Sequence, residues 1–581
     1  MNFAQVATAF EAIEHISSRT EITQLLADLF KKSDPEEVEI ICNLALGQLH
    51  PIYITTLFNM AEKSLIEVVA RIIQHDVAAV KEQLHVLGDL GNVLMRHSWK
   101  VEKQLSIKNV YEWLCSLEKI EGRGSQELKS EHVQELIRSV DPLSAKYIVR
   151  IILGKLRLGF SDMTIIDALS WMEVGNKSLH AVIEEAYNIC ADLGLIAREI
   201  KHDGVEALKK QIIHIGIPIR PAAAERLPTA KEIIEKIGPC VAQPKLDGFR
   251  LQIHVDRTAQ KSRVHFFSRH LQDMSSMFPD LIDLFAHLPV KTVICEGEAI
   301  GYNSETGDFL PFQETAKRRR KYEIEKTAAA FPLRVFLFDL LYLNGKNMMS
   351  LPHEKRRQEL LTIGSHIKND AIVVVPEYKM NTAQQLEEFF LSEVAAGLEG
   401  LVVKKPDAPY LAGKRNFNWI KLKRRQQGHL EDTIDCVILG YYQGAGKRAQ
   451  FGIGAFLVGV YNKKEDCFQT IAKVGTGLKD DEWRMLKKKC DEQIVDHKPR
   501  NVECVKQLEP DVWINPSIVC MILADEITLS PVHTAGKTEK NVGYALRFPR
   551  FVGYREDKGA QEATEVQEIK RLYDDQFKLS S

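Results

Sequence analysis

Val241-Ala-Gln-Pro-Lys-Leu-Asp-Gly-Phe-Arg250 is the stretch on which the chain turns: a lysine stands two residues before an acid-glycine pair and five before an arginine. Apolar residues recur at helical spacing before it and alternate as in strands after it, so it marks a change of fold class. Read alone, Lys245-Leu-Asp-Gly-Phe-Arg250 is an exposed strand with a turn, because Asp-Gly is among the commonest turn pairs. Read with the segments from Glu298 onward, it holds a reactive lysine. An ε-amine with a reference pKa near ~10.4 is mostly protonated at neutral pH, so a nucleophilic lysine needs cations or a metal nearby.

Upstream, residues 1–214 read as helices throughout. Apolar positions at three and four residue spacing run through Phe3-Ala-Gln-Val-Ala-Thr-Ala-Phe-Glu-Ala-Ile-Glu-His-Ile16 and Ile22-Thr-Gln-Leu-Leu-Ala-Asp-Leu-Phe30. Asp34-Pro-Glu-Glu is a helix start, with an acid as N-cap, proline at the first helical position and carboxylates in the positive first turn. Asp141-Pro-Leu-Ser and Ser161-Asp-Met-Thr are similar starts. In Lys146-Tyr-Ile-Val-Arg-Ile-Ile-Leu-Gly-Lys-Leu-Arg-Leu-Gly-Phe160, Lys146, Arg150, Lys155 and Arg157 lie near glycines that let backbone approach a phosphate. A core helix with a solvated basic edge is the alternative. Residues 215–230 carry three prolines and are expected to link two domains.

Downstream, Phe249-Arg-Leu-Gln-Ile-His-Val255, Val264-His-Phe-Phe-Ser268, Val293-Ile-Cys-Glu-Gly-Glu-Ala-Ile300 and Leu333-Arg-Val-Phe-Leu-Phe-Asp-Leu-Leu-Tyr342 read as strands. Helices at about 278–287, 353–363 and 382–396 separate some of them, which makes an α+β domain. From 431 the pattern becomes short strands with glycine-rich turns, interrupted by a helix beginning at Asp480. A small five-stranded barrel with an inserted helix suits that spacing.

Composition bounds the function classes. At 581 residues the chain exceeds one hydrophobic core. With 27% charged and 45% hydrophobic residues it is of ordinary soluble type. No apolar run reaches the ~18 residues of a bilayer span, and no basic-then-apolar leader opens it, so it is expected to be intracellular, in the cytoplasm or nucleoid if the cell is prokaryotic, and away from membranes. Ten cysteines include no Cys-x-x-Cys pair, which argues against a zinc ribbon or redox dithiol. The net charge of −2 does not advertise nucleic-acid binding, although local basic clusters make an electrostatic footprint regardless of the whole-chain sum.

Seven segments in a fixed order carry a resemblance: Lys245-Leu-Asp-Gly-Phe-Arg250, Phe267-Ser-Arg-His270, Cys295-Glu-Gly-Glu298, Phe336-Leu-Phe-Asp-Leu-Leu-Tyr-Leu-Asn-Gly345, Leu398-Glu-Gly-Leu-Val-Val-Lys404, Trp419-Ile-Lys-Leu-Lys423 and Leu546-Arg-Phe-Pro-Arg-Phe-Val-Gly-Tyr-Arg-Glu-Asp-Lys558. They resemble the nucleotidyltransferase motifs of ATP-dependent DNA ligases. Gly154-Lys-Leu-Arg-Leu-Gly159 resembles the DNA-binding domain of archaeal and eukaryotic replicative ligases, so the likeness spans essentially the whole chain.

The resemblance implies an all-α DNA-binding domain at 1–214, an α+β adenylation domain at 215–430 and a β-barrel OB-fold domain at 431–581. It implies that Lys245 attacks the α-phosphate of ATP to form lysyl-AMP, which is then used to seal 5′-phosphate/3′-hydroxyl nicks in replication, repair and recombination. Glu298 and Glu399 would hold magnesium, with manganese as a substitute. Lys421 and Lys423, alternating on a strand with Trp419 and Leu422 packed behind, would face the α-phosphate. Phe338 would stack on adenine, or be core, since Phe336 shares its parity. Arg250 and Arg269 would serve the ATP site and bind the nick's 5′-phosphate or neighbouring backbone, and Asp247 would position hydroxyls or assist the final attack. Arg547, Arg550, Arg555, Asp557 and Lys558 would act on the triphosphate when the barrel closes. Lys155 and Arg157 would contact DNA, while Phe312 and Phe548 would press into the minor groove or simply pack. A monomer surrounding nicked duplex DNA is the implied assembly.

Two positions depart from the family pattern. Gln243 stands where replicative ligases commonly carry a glutamate that accepts from the adenine amino group, and Gly553 stands where several relatives have arginine. Gln243 leaves the choice of nucleotide open, because an amide both accepts and donates. An NAD-dependent ligase shares the lysine core but is disfavoured by Arg250, the last motif and the missing four-cysteine module. A capping guanylyltransferase or RNA ligase needs no 200 helical residues in front. A non-catalytic DNA clamp would be expected to have lost Lys245, Glu298 or Glu399.

Overall fold

In a computed structural model of the chain, contacts divide it into two units, Met1–Arg424 and Arg425–Ser581. The structure describes residues 1–575 other than 102–103, 157, 211–212, 259–261, 304–308, 311, 319–323, 368, 397, 424–432, 445 and 540. No helix among them is long and apolar enough to cross a membrane. All ten cysteines are free thiols.

The first unit opens with helices between Phe3 and Asp203. Their starts follow local chemistry. The Asp34 carboxylate accepts from the Glu37 amide at 2.8 Å while Glu37 reaches back to the Asp34 amide at 3.0 Å, and Pro35 takes the first helical position. Asp141 caps Pro142–Ile152 by accepting from the Ser144 amide at 3.0 Å, again with proline at the first helical position. Ser161 precedes Asp162–Val174 without a side-chain cap bond. The apolar stripes meet in one core that includes Phe3, Phe10, Phe30, Tyr147 and Ile196.

The expected linker differs. Gln252 holds the backbone of Ile219 through both its amide nitrogen and oxygen, and Ala223–Arg226 is a strand (β1). Its prolines, Pro218, Pro221 and Pro228, flank the strand, where no ladder bond is needed.

The remaining strands of this unit are β2 (Cys240–Pro244), β3 (Phe249–Asp256), β4 (Arg263–Ser268), β5 (Thr292–Gly301), β6 (Leu333–Leu343), β7 (Lys346–Asn347), β8 (Ile372–Val374), β9 (Tyr378–Met380), β10 (Gly400–Lys404) and β11 (Arg415–Lys423). They form a five-stranded sheet, β1-β11-β10-β2-β9, and a six-stranded sheet, β4-β3-β5-β6-β7 with β8 parallel to β6. Each has one apolar face. Ala242, Leu401, Val403, Ile420 and Leu422 pack with Ile233 and Leu386 of helices Ala230–Ile237 and Ala383–Ala395. Leu251, Ile253, Cys295, Val335 and Leu337 pack with Leu281 and Leu360 of helices Pro279–Phe285 and His353–Ser365. Period-two alternation therefore sends the polar residues of both sheets to the other faces, where a cavity forms.

The second unit is a C-terminal β domain. Its strands β12 (Ile434–Tyr442), β13 (Ala455–Asn462) and β14 (Cys467–Val474) form a meander, and β12 also pairs with strands Val512–Ile514 and Val519–Leu523 along successive parts of its length. Helix Asp480–Asp491 follows β14 and sends Trp483 and Leu486 into a core shared with Phe456 and Phe551.

Candidate active site

Residues 245–248 cross from one sheet to the other, because β2 ends at Pro244 and β3 begins at Phe249. The Lys245 amide donates to the Gly400 carbonyl at 2.8 Å. Gly400 has a φ of +137°, and a Cβ there would stand 2.2 Å from the Leu422 carbonyl oxygen. A Cβ on Gly248 would stand 2.3 Å from the carbonyl oxygen of Ala299. Only glycine permits both approaches, and together they fix where the lysine emerges.

It emerges at a cavity of about 350 Å³ whose lining includes Gln243, Lys245, Asp247, Arg250, Arg269, Glu298, Phe338 and Lys421. The volume lies in the range of small-molecule sites. Five lysines and arginines line it against two carboxylates, so it suits an anion. The Lys245 ammonium bonds Glu399, and Lys423 Nζ lies 3.2 Å from the same oxygen. Burial pushes Glu399 up, but Lys245 and Lys423 outweigh it and hold the carboxyl below its ordinary range. Glu298 is the opposite case: burial pushes it up to about 7 against the pull of Lys245 and Arg250. Lys421 is pushed down to about 8 by burial, helped by Arg269, Lys245 and Lys423. Arg269 is exposed and has no ion pair among the described residues.

Arg250 is positioned by residues the motifs did not single out. Its guanidinium donates to Glu296 at 2.6 Å and to the Ala222 carbonyl at 3.1 Å, and the Tyr410 hydroxyl donates to the same Glu296 oxygen at 3.1 Å. Glu296 shares the face of Glu298 by strand parity, a signal present in the sequence; Tyr410 comes from a loop and had none. Arg250 lies 5.4 Å from the Phe338 ring centre and 5.6 Å from that of Trp419.

Phe336 and Phe338 both line the cavity, with Phe336 buried and Phe338 half-buried. Trp419 was expected behind the lysines; instead it shares their face, lines the cavity and meets Phe338 edge-on at 6.0 Å, while Ile420 and Leu422 pack behind. Beneath this aromatic pair, buried Lys404 donates to the Phe338 carbonyl at 2.8 Å and lies 4.4 Å from the Trp419 ring centre.

Glu298 and Glu399 fit a divalent ion. They are hard oxygen donors beside Lys245, and magnesium takes one or two carboxylates together with water and phosphate oxygens. A carboxyl raised by burial is one whose charge an added cation would favour.

The other sequence candidates lie elsewhere. Lys146 and Arg150 are buried and bound to Glu11, Glu14 and Asp89, so these two belong to the core reading rather than to a phosphate contact. Lys155 is exposed and paired with Glu62; Arg157 lies outside the described residues. Phe312 begins helix Phe312–Thr315, and its side chain lies outside the described residues. In the second unit Arg547 pairs with Glu526, Arg550 with Asp525, Arg555 with Asp435 and Asp557, and Lys558 with Asp435. Phe548 is 60% exposed with a φ of +51°, a conformation rare for an aromatic residue.

Three family models match the chain: ATP dependent DNA ligase domain over residues 221–423, DNA ligase N terminus over 2–170, and ATP dependent DNA ligase C terminal region over 449–558. The whole chain is 46% identical to a probable DNA ligase of Dictyoglomus turgidum, 98% of which it covers. It is 36% identical to a DNA ligase of Nitrosopumilus maritimus, 99% of which it covers. A solved structure described as Pmar-Lig_Pre aligns over 95% of this chain and 99% of its own at 15% identity with a TM-score of 0.54, a likeness of fold alone.

Proposed function

The chain belongs to the ATP-dependent DNA ligase family, and from that premise we propose how its residues divide the work. Its activity is ATP-dependent joining of DNA. The observation that carries the assignment of roles is the Lys245 amine at a cavity where Arg250, Arg269 and Lys421 also converge.

Lys245 Nζ attacks the α-phosphate of ATP, forming a phosphorus–nitrogen bond as pyrophosphate leaves. The AMP then passes to the 5′-phosphate of a nick, which frees the lysine, and the 3′-hydroxyl displaces AMP to close the strand. Each transfer places negative charge on phosphate oxygens, so positioned cations dominate catalysis. Lys421 and Lys423 stabilise that charge, and Arg250 and Arg269 hold the 5′-phosphate, for which a guanidinium fork is well shaped. Asp247 positions hydroxyls. Glu399 must release Lys245 before attack, since an amine held by a carboxylate is not available to phosphorus. Glu298 and Glu399 hold magnesium, or manganese in its place, which when bound supplies charge to neutralise phosphate oxygens. Phe338 stacks on adenine, and Gln243 reads the base.

The same reading divides the chain into domains at 1–214, 215–430 and 431–581, the last an OB-fold barrel, in an intracellular monomer that surrounds nicked duplex DNA. Lys155 and Arg157 contact its phosphates. Arg547, Arg555 and Lys558 act on the triphosphate during the first step. Phe312 and Phe548 press beside the nick, which would explain an exposed aromatic in a left-handed conformation.

Incubation with magnesium and α-labelled ATP, NAD or GTP, followed by a chase with nicked DNA, tests this reading. The expected result is a covalent label from ATP, discharged by the nick and absent in Lys245→Ala. Label retained by that variant, or none on the wild type, would overturn it.

A further inference from the structure

Gln243 is gripped from behind. Its side-chain nitrogen donates to Glu377 Oε2 at 2.6 Å, and the residue is 2% exposed while lining the cavity. The grip follows from register: β9 pairs antiparallel with β2, Tyr378 opposite Ala242, so residue 377 lies beside Gln243. His353 donates through Nε2 to the same Glu377 oxygen at 2.8 Å, and the Arg357 guanidinium lies 4.0 Å from the other oxygen. His353 is anchored in turn: its amide donates to the Ala408 carbonyl at 2.9 Å, and its Nδ1 lies 3.8 Å from Asp339, which Arg356 binds at 2.7 and 3.1 Å.

A glutamine offers an acceptor and a donor that a half-turn of the amide exchanges, so its preference for a base depends on what fixes it. An ionised carboxylate only accepts, so only the amide nitrogen of Gln243 can face Glu377. Burial pushes Glu377 up, but His353, Lys404 and Arg357 outweigh it and hold its carboxyl below the ordinary range.

We propose that Glu377 and His353 are positioning residues that set the nucleobase preference of this site: by taking the Gln243 amide nitrogen, Glu377 leaves the carbonyl oxygen to face the base. That oxygen accepts from a purine carrying an amino group, as adenine does, and opposes one carrying a carbonyl at the same position, as guanine and hypoxanthine do. The inference rests on Gln243 as the base contact and answers the ambiguity that glutamine leaves there. It makes the Gln243–Glu377 pair the equivalent of a single glutamate acceptor, with the negative charge moved one residue back.

The test measures Lys245 labelling of the full-length protein with ATP and with inosine triphosphate, which replaces the amino group by a carbonyl. The ratio of the two rate constants is the readout. Wild type is expected to favour ATP strongly. Glu377→Gln frees the Gln243 amide to turn, and the ratio falls by about tenfold or more. The exchange variant Gln243→Glu/Glu377→Gln puts the carboxylate at the cavity with the amide behind it, and the ratio returns towards wild type. A ratio unchanged in Glu377→Gln, both rates falling by one common factor, or an exchange variant that charges but does not prefer ATP would each overturn the inference while the ligase reading stands. Should Glu377→Gln not fold, the exchange variant alone decides. Absence of label on wild type would overturn the ligase reading itself and this inference with it.

Discussion

Lys146 and Arg150, on one helix of the first unit, and Lys421 and Arg269, on the cavity wall, are the same residue types in opposite electrostatic settings. The helical pair is buried, and each cation meets carboxylates: Lys146 lies 2.6 Å from Glu11 and 3.0 Å from Glu14, and Arg150 lies 2.8 Å from Glu14 and 3.1 Å from Asp89. Glu14 is held down at about 2 because Arg150 and Lys146 overcome the effect of its burial. On the cavity wall Lys421 is instead driven down to about 8 by burial and, beyond that, by the other cations that crowd it. A cluster that balances its charge is finished, whereas one that repels itself is waiting for an anion.

The comparison breaks most readily on the balanced side. Arg150→Met is expected to cost about 2–4 kcal/mol, because it strands Glu14 and Asp89, partly wet, without their main partner. Denaturant unfolding checks this, and labelling by ATP per folded molecule should be unchanged. Lys421→Met should do the reverse: no loss of stability, and a slower labelling step by about 10²–10³, the range seen when one charge-stabilising donor is removed. If the two variants behaved alike, charge balance would not separate structural from functional cations here.

Much of this division was legible in the sequence, and the rest failed for identifiable reasons. Helix starts at Asp34 and Asp141 are local chemistry, settled within four residues, and they lie where the pattern puts them. Strands β3 to β6 follow from alternation. The strand at Ala223–Arg226 was invisible because its partner, Arg415–Lys423, is far along the chain and parallel. Basic spacing at Lys146 and Arg150 could not show that Glu11 and Glu14 would meet it from another helix. Strand parity puts Trp419 on the same face as Lys421 rather than behind it, and its large ring is nevertheless buried there, at 7% exposure on the cavity wall. Glu377 and Tyr410 carried no signal, since each reaches the site from a short connection outside the motifs.

A medium effect sharpens the comparison from the acidic side. Glu298 is raised from 4.5 to about 7 by burial. Its neutral form is the one the fold favours, so this contribution to stability is complete below about pH 4.5 and is lost as pH rises through 7. Glu298→Gln should therefore match wild type near pH 4 and be more stable at pH 8, by about 1–3 kcal/mol. Magnesium should stabilise wild type at pH 8 and have less effect on the variant. Equal stability of the two proteins across that range would mean that Glu298 costs the fold nothing.

The smallest effect comes from the second unit, where partners mislead. Arg555 donates to Asp557 at 2.7 and 2.8 Å and to Asp435 at 2.9 Å, so by contacts alone it resembles Arg150. Its side chain keeps more than a quarter of its exposure and Asp557 keeps 64%, and at such exposure water and salt take most of the energy of the pair. Arg555→Ala should therefore leave denaturant unfolding close to that of wild type. If its task is the triphosphate, the variant should label slowly with ATP yet seal a nick that already carries AMP at the wild-type rate. Loss of both activities together would place Arg555 on DNA instead. A large loss of stability would show that even a wet pair can be structural, and that burial of the cation, rather than the count of its partners, is the wrong measure of which clusters are finished.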